Sequence, residues 1–391
     1  MRVLIATDTY PPTINGAARF TERLAKGLAG RGHDVHVVYP SPSGKTETVR
    51  AEGVTFHRRY SVAYPFYDKF RLSPPLSIPS GRLVDAIAPD VIHLQDHFWL
   101  CSAIAGSARY RNLPVIATNH LMPENFFDHV PVPAWMRGIG SKWVWTELER
   151  VFRSVSQVTS PTPKAVELLM RATKFSDAIA VSNGVDTAPY AAAAAAAKVS
   201  PGCYSPNPIV LFVGRLDQEK RVNELIAAFA GLPEALNATL EIVGDGSLRG
   251  ELQRQAQRLG VADRVKFLGF VGDAELLAAY ARADLFCMPG VAELQSLVTL
   301  ESMSAGKPVI AANAMALPHL VHTGENGFLF TPGNVDELRG RLVTLLSDAD
   351  LRERMGSASK EIVAAHSMAS TLEIFEGLYA KAIAEKGPAA R

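Results

Sequence analysis

Two glutamates carry the strongest chemical signal in this 391-residue chain. In AELQSLVTLESMSAGKPVIA (292–311), Glu293 precedes Glu301 by eight residues, and Glu301 shares a helical pattern with Leu297, Leu300 and Met303 that ends before Gly306. This spacing places Glu293 on a loop and predicts a helix starting just after Ser296, with the Ser296 side chain as its cap. The amides of Leu297 and Val298 would then form an anion site at the positive end of the helix dipole. Glu301, further down the same helix, is placed to reach a ribose diol beside that anion. A solvated acidic helix face is the competing reading.

Cations at a second strand end suit the same chemistry. In VGRLDQEKR (213–221), an apolar run stops at Gly214–Arg215, and Lys220 follows five residues later. Arginine offers a planar fork and lysine a point charge, a matched pair for a diphosphate leaving group at the edge of a sheet. TINGAARF (13–20) contributes Gly16, where backbone can come close to a phosphate. Neither this loop nor VGDGS (243–247) fits the GxGxxG fingerprint, and GxxxxGK[ST] is absent, so dinucleotide and P-loop sites are disfavoured. His120 closes the run VIATNH; His93, His97 and His129 compete with it, but a strand-end position favours His120.

These residues need a scaffold of parallel strands. RVLIAT (2–7), DVHVVYP (34–40), PDVIHLQ (89–95), LPVIATNH (113–120) and SQVTSPT (156–162) are β-rich runs separated by helical patterns over 18–30, 101–111 and 141–153. The alternation restarts at PIVLFVGRL (208–216) and continues through ATLEIVGDG, DRVKFLGF, ADLFCMPG and KPVIAAN. The fold class is therefore α/β, with two Rossmann-like, doubly wound parallel sheets. Domains are expected at 1–186 and 208–365, joined by a linker over 187–207 rich in Pro, Ala and turn formers. The seven alanines 191–197 favour a short helix by propensity alone and carry no functional reading. A helical tail over 357–386 presents Ile362, Leu372, Ile374, Phe375, Leu378 and Tyr379 and needs a surface to cover, which the first domain could supply. In such folds ligands bind at the carboxyl ends of the strands, so two facing domains would share one cleft there.

Composition narrows the class further. The formal charge is +1, with 48% apolar and 20% charged residues, an ordinary globular profile that disfavours disorder and a nucleic-acid-binding domain. Residues 1–186 hold 21 basic and 16 acidic side chains and the remainder 19 and 23, a sign change consistent with separate partners for the two halves. The cysteines, Cys101, Cys203 and Cys287, are far apart, which argues against a disulfide framework or zinc site and for a reducing, cytoplasmic setting. No signal peptide or 18-residue apolar run is read.

Taken together, TDTYPPTING, PDVIHLQ, the strand ending at His120, SNGVD, VGRLDQEK, ADLFCMPG, the Glu-x7-Glu helix and GENGFLFTPGN resemble the family 4 retaining glycosyltransferases of the GT-B fold over nearly the whole chain. The resemblance implies that Arg215 and Lys220 bind the diphosphate of a nucleotide sugar, assisted by Gly16 and the amides of Leu297 and Val298. It also implies that Glu301 binds the ribose, backbone near Val271 the base, Glu293 the sugar hydroxyls, and His120 the sugar near the reacting carbon. The expected reaction is metal-independent hexosyl transfer to a hydroxyl acceptor with retained configuration, from a UDP-sugar by preference, with GDP-mannose the other candidate. The work would be mainly electrostatic, on charge developing at the leaving diphosphate. Where many members carry Phe-Gly after the first glutamate and Gly-Gly in the first loop, this chain has Leu294–Gln295 and Asn15–Gly16–Ala17, which leaves the sugar open.

The opening TDTYPPTING, RRY (58–60) and the Glu-x-Gln helix look more like the diacylglycerol glucosyltransferase and phosphatidylinositol mannosyltransferase branches than like sucrose or glycogen enzymes. Basic and aromatic residues over 57–72 (Arg58, Arg59, Lys69, Arg71 with Tyr60, Tyr64, Phe66, Tyr67, Phe70) and around Trp135, Trp143 and Trp145 with Arg137 and Lys142 suit a lipid acceptor at an anionic membrane face. Packing in a core or around a small-molecule pocket explains them equally well. Two rival functions remain at this level, a nucleotide-sugar 2-epimerase and a non-catalytic nucleotide-sugar-binding subunit.

Overall fold

The computed structural model describes residues 1–13, 15–63, 71–74, 79–122, 134–199 and 207–386. It divides into two compact units, Met1–Asn183 with Met368–Arg391, and Gly184–Ser367.

In chain order, the first unit holds β1 (Arg2–Ala6), β2 (Asp34–Pro40), β3 (Glu47–Ala51), β4 (Val54–Arg59), the short pair β5 (Val62–Ala63) and β6 (Arg71–Leu72), β7 (Val91–Leu94), β8 (Val115–Thr118), β9 (Gln157–Ser160) and β10 (Ile179–Ala180). Its main sheet runs β10-β9-β8-β7-β1-β2-β4-β3, parallel apart from β3 against β4. The alternation of β1 explains its burial on both faces: Val3 and Ile5 enter one core cluster, Leu4 and Ala6 the other. The helix Gly16–Gly30 starts where the Asn15 side chain accepts the Ala18 amide, and it buries Phe20, Leu24 and Leu28 on its sheet face.

The second unit holds β11 (Ile209–Val213), β12 (Thr239–Val243), β13 (Val265–Gly269), β14 (Leu285–Met288), β15 (Val309–Ala312) and β16 (Gly327–Phe330). They form an all-parallel sheet in the order β13-β12-β11-β14-β15-β16. This is the doubly wound order, in which the winding reverses between β11 and β14 and opens a crevice at their carboxyl ends.

The described part of the linker expected over 187–207, residues 187–199, is a helix of the second unit. Residues from Gly184 belong to the second unit, and the helix Thr187–Val199 packs Tyr190 and Ala194 into its core, with the Tyr190 ring edge-on to Tyr280 at 5.5 Å. Turn-forming flanks suggested a linker, but a single aromatic at helical spacing from alanines was enough to anchor a helix. The described tail is two helices, Ala349–Ala364 in the second unit and Met368–Lys386 in the first. The latter seats Leu372, Phe375 and Tyr379 in the core around Phe20 and Leu24. Gly27 is what lets Leu372 approach, since a Cβ there would meet the Leu372 Cδ1 atom at 2.7 Å.

Phe375 is fully buried in this core. Its replacement by alanine should destabilise the first unit by about 3–5 kcal/mol, the usual cost of emptying a phenylalanine site. Urea unfolding followed by a probe in that unit checks this, and a cost below about 1 kcal/mol would show that the last helix is only loosely docked.

Candidate functional site

In the second unit, loops following adjacent strands meet at the winding reversal. Gly214 and Gly244 end β11 and β12 with backbones in contact: the Gly214 amide donates to the Val243 carbonyl at 3.0 Å, and a Cβ on Gly244 would lie 1.9 Å from the Gly214 oxygen. Gly244 also has φ +125°, outside the range most side-chain-bearing residues tolerate. Across the crevice, the Val291 amide donates to the Glu219 carbonyl at 3.0 Å, tying the loop after β14 to the one after β11.

On this frame Lys220 and Glu293 meet directly. Lys220 Nζ donates to Glu293 Oε1 at 2.5 Å, with both side chains largely buried. The Ala316 amide holds the Glu293 carbonyl at 3.1 Å, and Gly290 leaves room beside both side chains, since a Cβ there would lie 3.4 Å from Glu293 Oε1 and 3.5 Å from Lys220 Cδ. Arg215 reaches Asp217 through Nη1 and Glu219 through Nη2, each at 2.8 Å. The other oxygen of Asp217 accepts from the Ser247 amide at 3.3 Å and hydroxyl at 3.0 Å, so one carboxylate links Arg215 to the loop after β12. Asp217 and Glu219 were overlooked as site residues, although they stand two and four positions after Arg215 in the same motif.

The helix Leu297–Ser304 begins after Ser296, as its pattern predicts, but the expected cap is not made. The Ser296 hydroxyl instead accepts the Thr299 hydroxyl at 2.8 Å. The first amides of a helix have no carbonyl partner within it, so Leu297 and Val298 still stand at the positive end of this helix dipole. Glu301 is buried and accepts the Tyr280 hydroxyl at 3.1 Å, which rules out the solvated acidic face. Tyr280 comes from the preceding helix, Asp273–Arg282, and no spacing pointed to it. Val271 lies two residues beyond β13, its side chain packed on the second core; between them Phe270 is 68% exposed. The structure thus gathers Arg215, Lys220, Glu293, Leu297, Val298 and Glu301 in one unit and places Val271 at the end of the sheet's outer strand.

Gly16 and His120 belong to the first unit. Gly16 is the exposed first residue of its helix. His120 stands two residues beyond β8, Nε2 toward Gln95 Oε1 at 2.8 Å and its ring 5.1 Å from that of Phe20. Burial depresses its pKa to about 3, so the ring is neutral. The competitors have structural duties: His93 is fully buried between Tyr379 and Thr118, at 2.7 Å from each hydroxyl, and His97 is buried beside Phe98 and Phe152. His129 lies outside the described residues.

Beneath this strand end sit Asp8, Asp96 and Cys101, their ligand atoms within 4.8 Å of one another and all buried. A metal is not what this group fits. Asp8 accepts the Leu100 and Cys101 amides at 3.0 and 3.2 Å, capping the helix Trp99–Tyr110, while Asp96 accepts the Thr7 hydroxyl and the Asp8 amide at 3.0 Å each. The Cys101 thiol is pushed well above its usual range by burial and then by the Asp8 charge, so it remains protonated.

Of the residues read as a membrane patch, Arg58 donates to Tyr39 and Glu47, Arg71 donates to Ser61, and Trp145 is in the core, so these three are committed within the first unit. Trp143 and Ile139 are 65% and 67% exposed, one helical turn apart with Lys142 beside them. Tyr64, Phe66, Tyr67, Lys69, Phe70 and the side chains of Trp135 and Arg137 lie outside the described residues, as does Cys203. Among the described residues no helix is long and apolar enough to cross a membrane.

Two family models match: Glycosyltransferase Family 4 over residues 14–189, and Glycosyl transferases group 1 over 195–362. The chain belongs to glycosyltransferase family 4 and has the GT-B fold. A sulfoquinovosyl transferase of Arabidopsis thaliana is 30% identical over 338 residues, 83% of this chain; the match spans 63% of that protein's length. A glycogen synthase of Mycobacterium tuberculosis is 28% identical (92% of this chain, 90% of that one), and a GDP-mannose-dependent alpha-mannosyltransferase of Mycolicibacterium smegmatis 29% (94% of each). The sulfoquinovosyl, glycogen and mannosyl relatives therefore stand at similar distance. Among solved structures, sucrose-phosphate synthase from Thermosynechococcus elongatus superposes with TM-score 0.79 at 20% identity (98% and 99% of the two chains), and Anabaena HepE in complex with UDP with 0.76 at 22% (97% and 100%).

Burial and the neighbouring Asp8 raise the Asp96 carboxyl to about 8. The folded state then keeps a proton that the unfolded chain releases near pH 4, so stability falls as pH rises between about 4 and 8. Asp96→Asn should flatten that decline and leave the protein more stable than the parent at pH 8. Urea midpoints across pH 5–8 decide it, and an unchanged slope would place the proton elsewhere.

Proposed function

We propose that this chain transfers a hexosyl group from a nucleoside diphosphate sugar to a hydroxyl acceptor, with retention of anomeric configuration and without a metal. The carrying observation is the Lys220–Glu293 ion pair at the winding reversal of the second sheet, which joins the loop bearing Arg215 to the loop that leads into the helix Leu297–Ser304. Arg215 and Lys220 bind the diphosphate and stabilise the charge it acquires on leaving, with the amides of Leu297 and Val298 aimed at the same oxygens. Glu301 takes the ribose, backbone near Val271 the base, and Glu293 the sugar hydroxyls. Gly16 assists at the diphosphate and His120 at the sugar. The leaving phosphate helps remove the acceptor's proton, so no separate base is assigned.

UDP-sugars are favoured as donors. The UDP bound by Anabaena HepE supports this reading, while the GDP-mannose-dependent relative keeps the guanine alternative in the test. For the acceptor, exposed Trp143 and Ile139 beside Lys142 support an amphiphilic hydroxyl compound presented at a membrane face, with the enzyme in peripheral contact on the cytoplasmic side.

Calorimetry with UDP, GDP, ADP and their hexose conjugates, without added metal, tests the donor site. One base is expected to bind selectively, Arg215→Ala with Lys220→Ala to weaken it at least tenfold, and Glu293→Ala to abolish turnover of the matching sugar without weakening the bare diphosphate. Equal dissociation constants in parent and double variant would remove the phosphate assignment. Separately, flotation with phosphatidylglycerol-rich vesicles should recover the parent and lose the Ile139→Ser/Trp143→Ser variant; equal recovery excludes that face.

A further inference from the structure

We infer that Gln95 is a positioning residue for His120: it holds the imidazole as the Nε2–H tautomer and so presents Nδ1 as a hydrogen-bond acceptor for a ligand hydroxyl. The inference rests on the reading of His120 as a sugar-contacting residue.

Gln95 and His120 lie just past the ends of the neighbouring parallel strands β7 and β8, which pair Leu94 with Ala117. Both are fixed from below. The Gln95 amide donates to the Ala6 carbonyl at 2.9 Å, anchoring it to β1. Asn119 is pinned on both sides, its amide to the Thr159 carbonyl at 2.8 Å and its carbonyl to the Ser160 hydroxyl at 3.1 Å, while its side chain accepts the Leu121 amide at 3.2 Å. Phe20 stops the imidazole from one side. Within this frame the ring's one protein hydrogen bond among the described residues is Nε2 to Gln95 Oε1, 2.8 Å. A carboxamide oxygen can only accept, so Nε2 carries the proton, and in a neutral ring Nδ1 then carries a lone pair.

A second observation points the same way. Gln95 is fully buried, and its Nε2 has no hydrogen-bond partner among the described residues. A buried unpaired amide hydrogen is a cost that an apolar side chain of this length would not carry, so the glutamine is explained by what its oxygen does. The tautomer matters chemically. An Nδ1 acceptor receives a hydrogen bond from a sugar hydroxyl and so orients that oxygen; an Nδ1–H donor would do the reverse.

The test is long-range proton–nitrogen NMR on the full chain labelled with nitrogen-15 histidine, with His120 assigned through the His120→Asn spectrum. The parent should show a pyrrole-type Nε2 and an unprotonated Nδ1 at pH 7. Gln95→Met should yield a mixture of tautomers, and Gln95→Glu, which restores an oxygen, should return the Nε2–H form. An Nδ1–H ring in the parent, or a Met variant with the parent's spectrum, would overturn the proposal. Hydrolysis of UDP-glucose and GDP-mannose separates this from the reading beneath it. Gln95→Met is expected to lower kcat three- to tenfold with an unchanged KM for the nucleotide sugar. Should His120→Ala leave kcat intact while the tautomer follows Gln95, the role of His120 fails and the positioning by Gln95 stands.

Discussion

The close approach of two glycine backbones, Gly214 and Gly244, is the constraint on which the candidate site of the second unit depends. With a Cβ position only 1.9 Å from a carbonyl oxygen, no side chain fits, so the ends of β11 and β12 are held as one surface. The loops that leave it inherit that rigidity. Leu216 donates to the Asp245 carbonyl and receives the Leu248 amide on its own carbonyl, so the segment bearing Arg215 is stitched to its neighbour before any side chain contributes. Backbone contacts of this kind position a site more reproducibly than a free loop can.

The site built on this surface is closed electrostatically. Arg215 is paired with Asp217 and Glu219, Lys220 with Glu293, and Arg221 with Glu224. Three cations thus face four carboxylates. Such a site exerts little long-range pull on an anion, and a diphosphate has to exchange for carboxylates already in place. The exchange carries information. In the proposed reading, a phosphate that takes Lys220 would free the Glu293 oxygen now paired with it, linking the sugar contact to the arrival of the leaving group. Removing Glu293 therefore separates two effects that a simple contact list would merge, since it strips the sugar contact while relieving Lys220 of a competitor.

Much of this was legible before any coordinates. Ten of the strands followed from apolar runs, while β3 to β6, β10 and β16 did not; the doubly wound class followed from the alternation with helices, and Arg215, Lys220, Glu293 and Glu301 were picked out by residue type after a strand or along a helix. What escaped were interactions without a local pattern. Tyr280 meets Glu301 from another helix, and Gln95 meets His120 across two strands 25 residues apart in sequence. Tyr190 converts an expected linker into a core helix through a single buried ring. The cap of the helix Leu297–Ser304 shows the opposite failure: Ser296 has the right type and place, but the Thr299 hydroxyl one turn on takes its oxygen. Local propensity names the candidates for a bond, and tertiary packing chooses among them.

The last helix extends that argument to the first unit. Met368–Lys386 is remote in sequence, yet its Tyr379 hydroxyl meets His93 Nδ1 at 2.7 Å, while His93 Nε2 meets the Thr118 hydroxyl and Thr118 in turn meets Thr159, each at 2.7 Å. Burial drives His93 to about pH 3, so it is a neutral ring with one donor and one acceptor, and hydroxyls on both sides can satisfy either arrangement. The chain of bonds crosses β7, β8 and β9 immediately beneath Gln95 and His120. Leaving one member unpaired in a region this buried would cost more than a surface bond, because none of these groups can turn to water. The strand ends that carry the histidine are therefore braced by a residue contributed 286 positions away, which makes the returning helix part of the scaffold for the site and not an appendage to it.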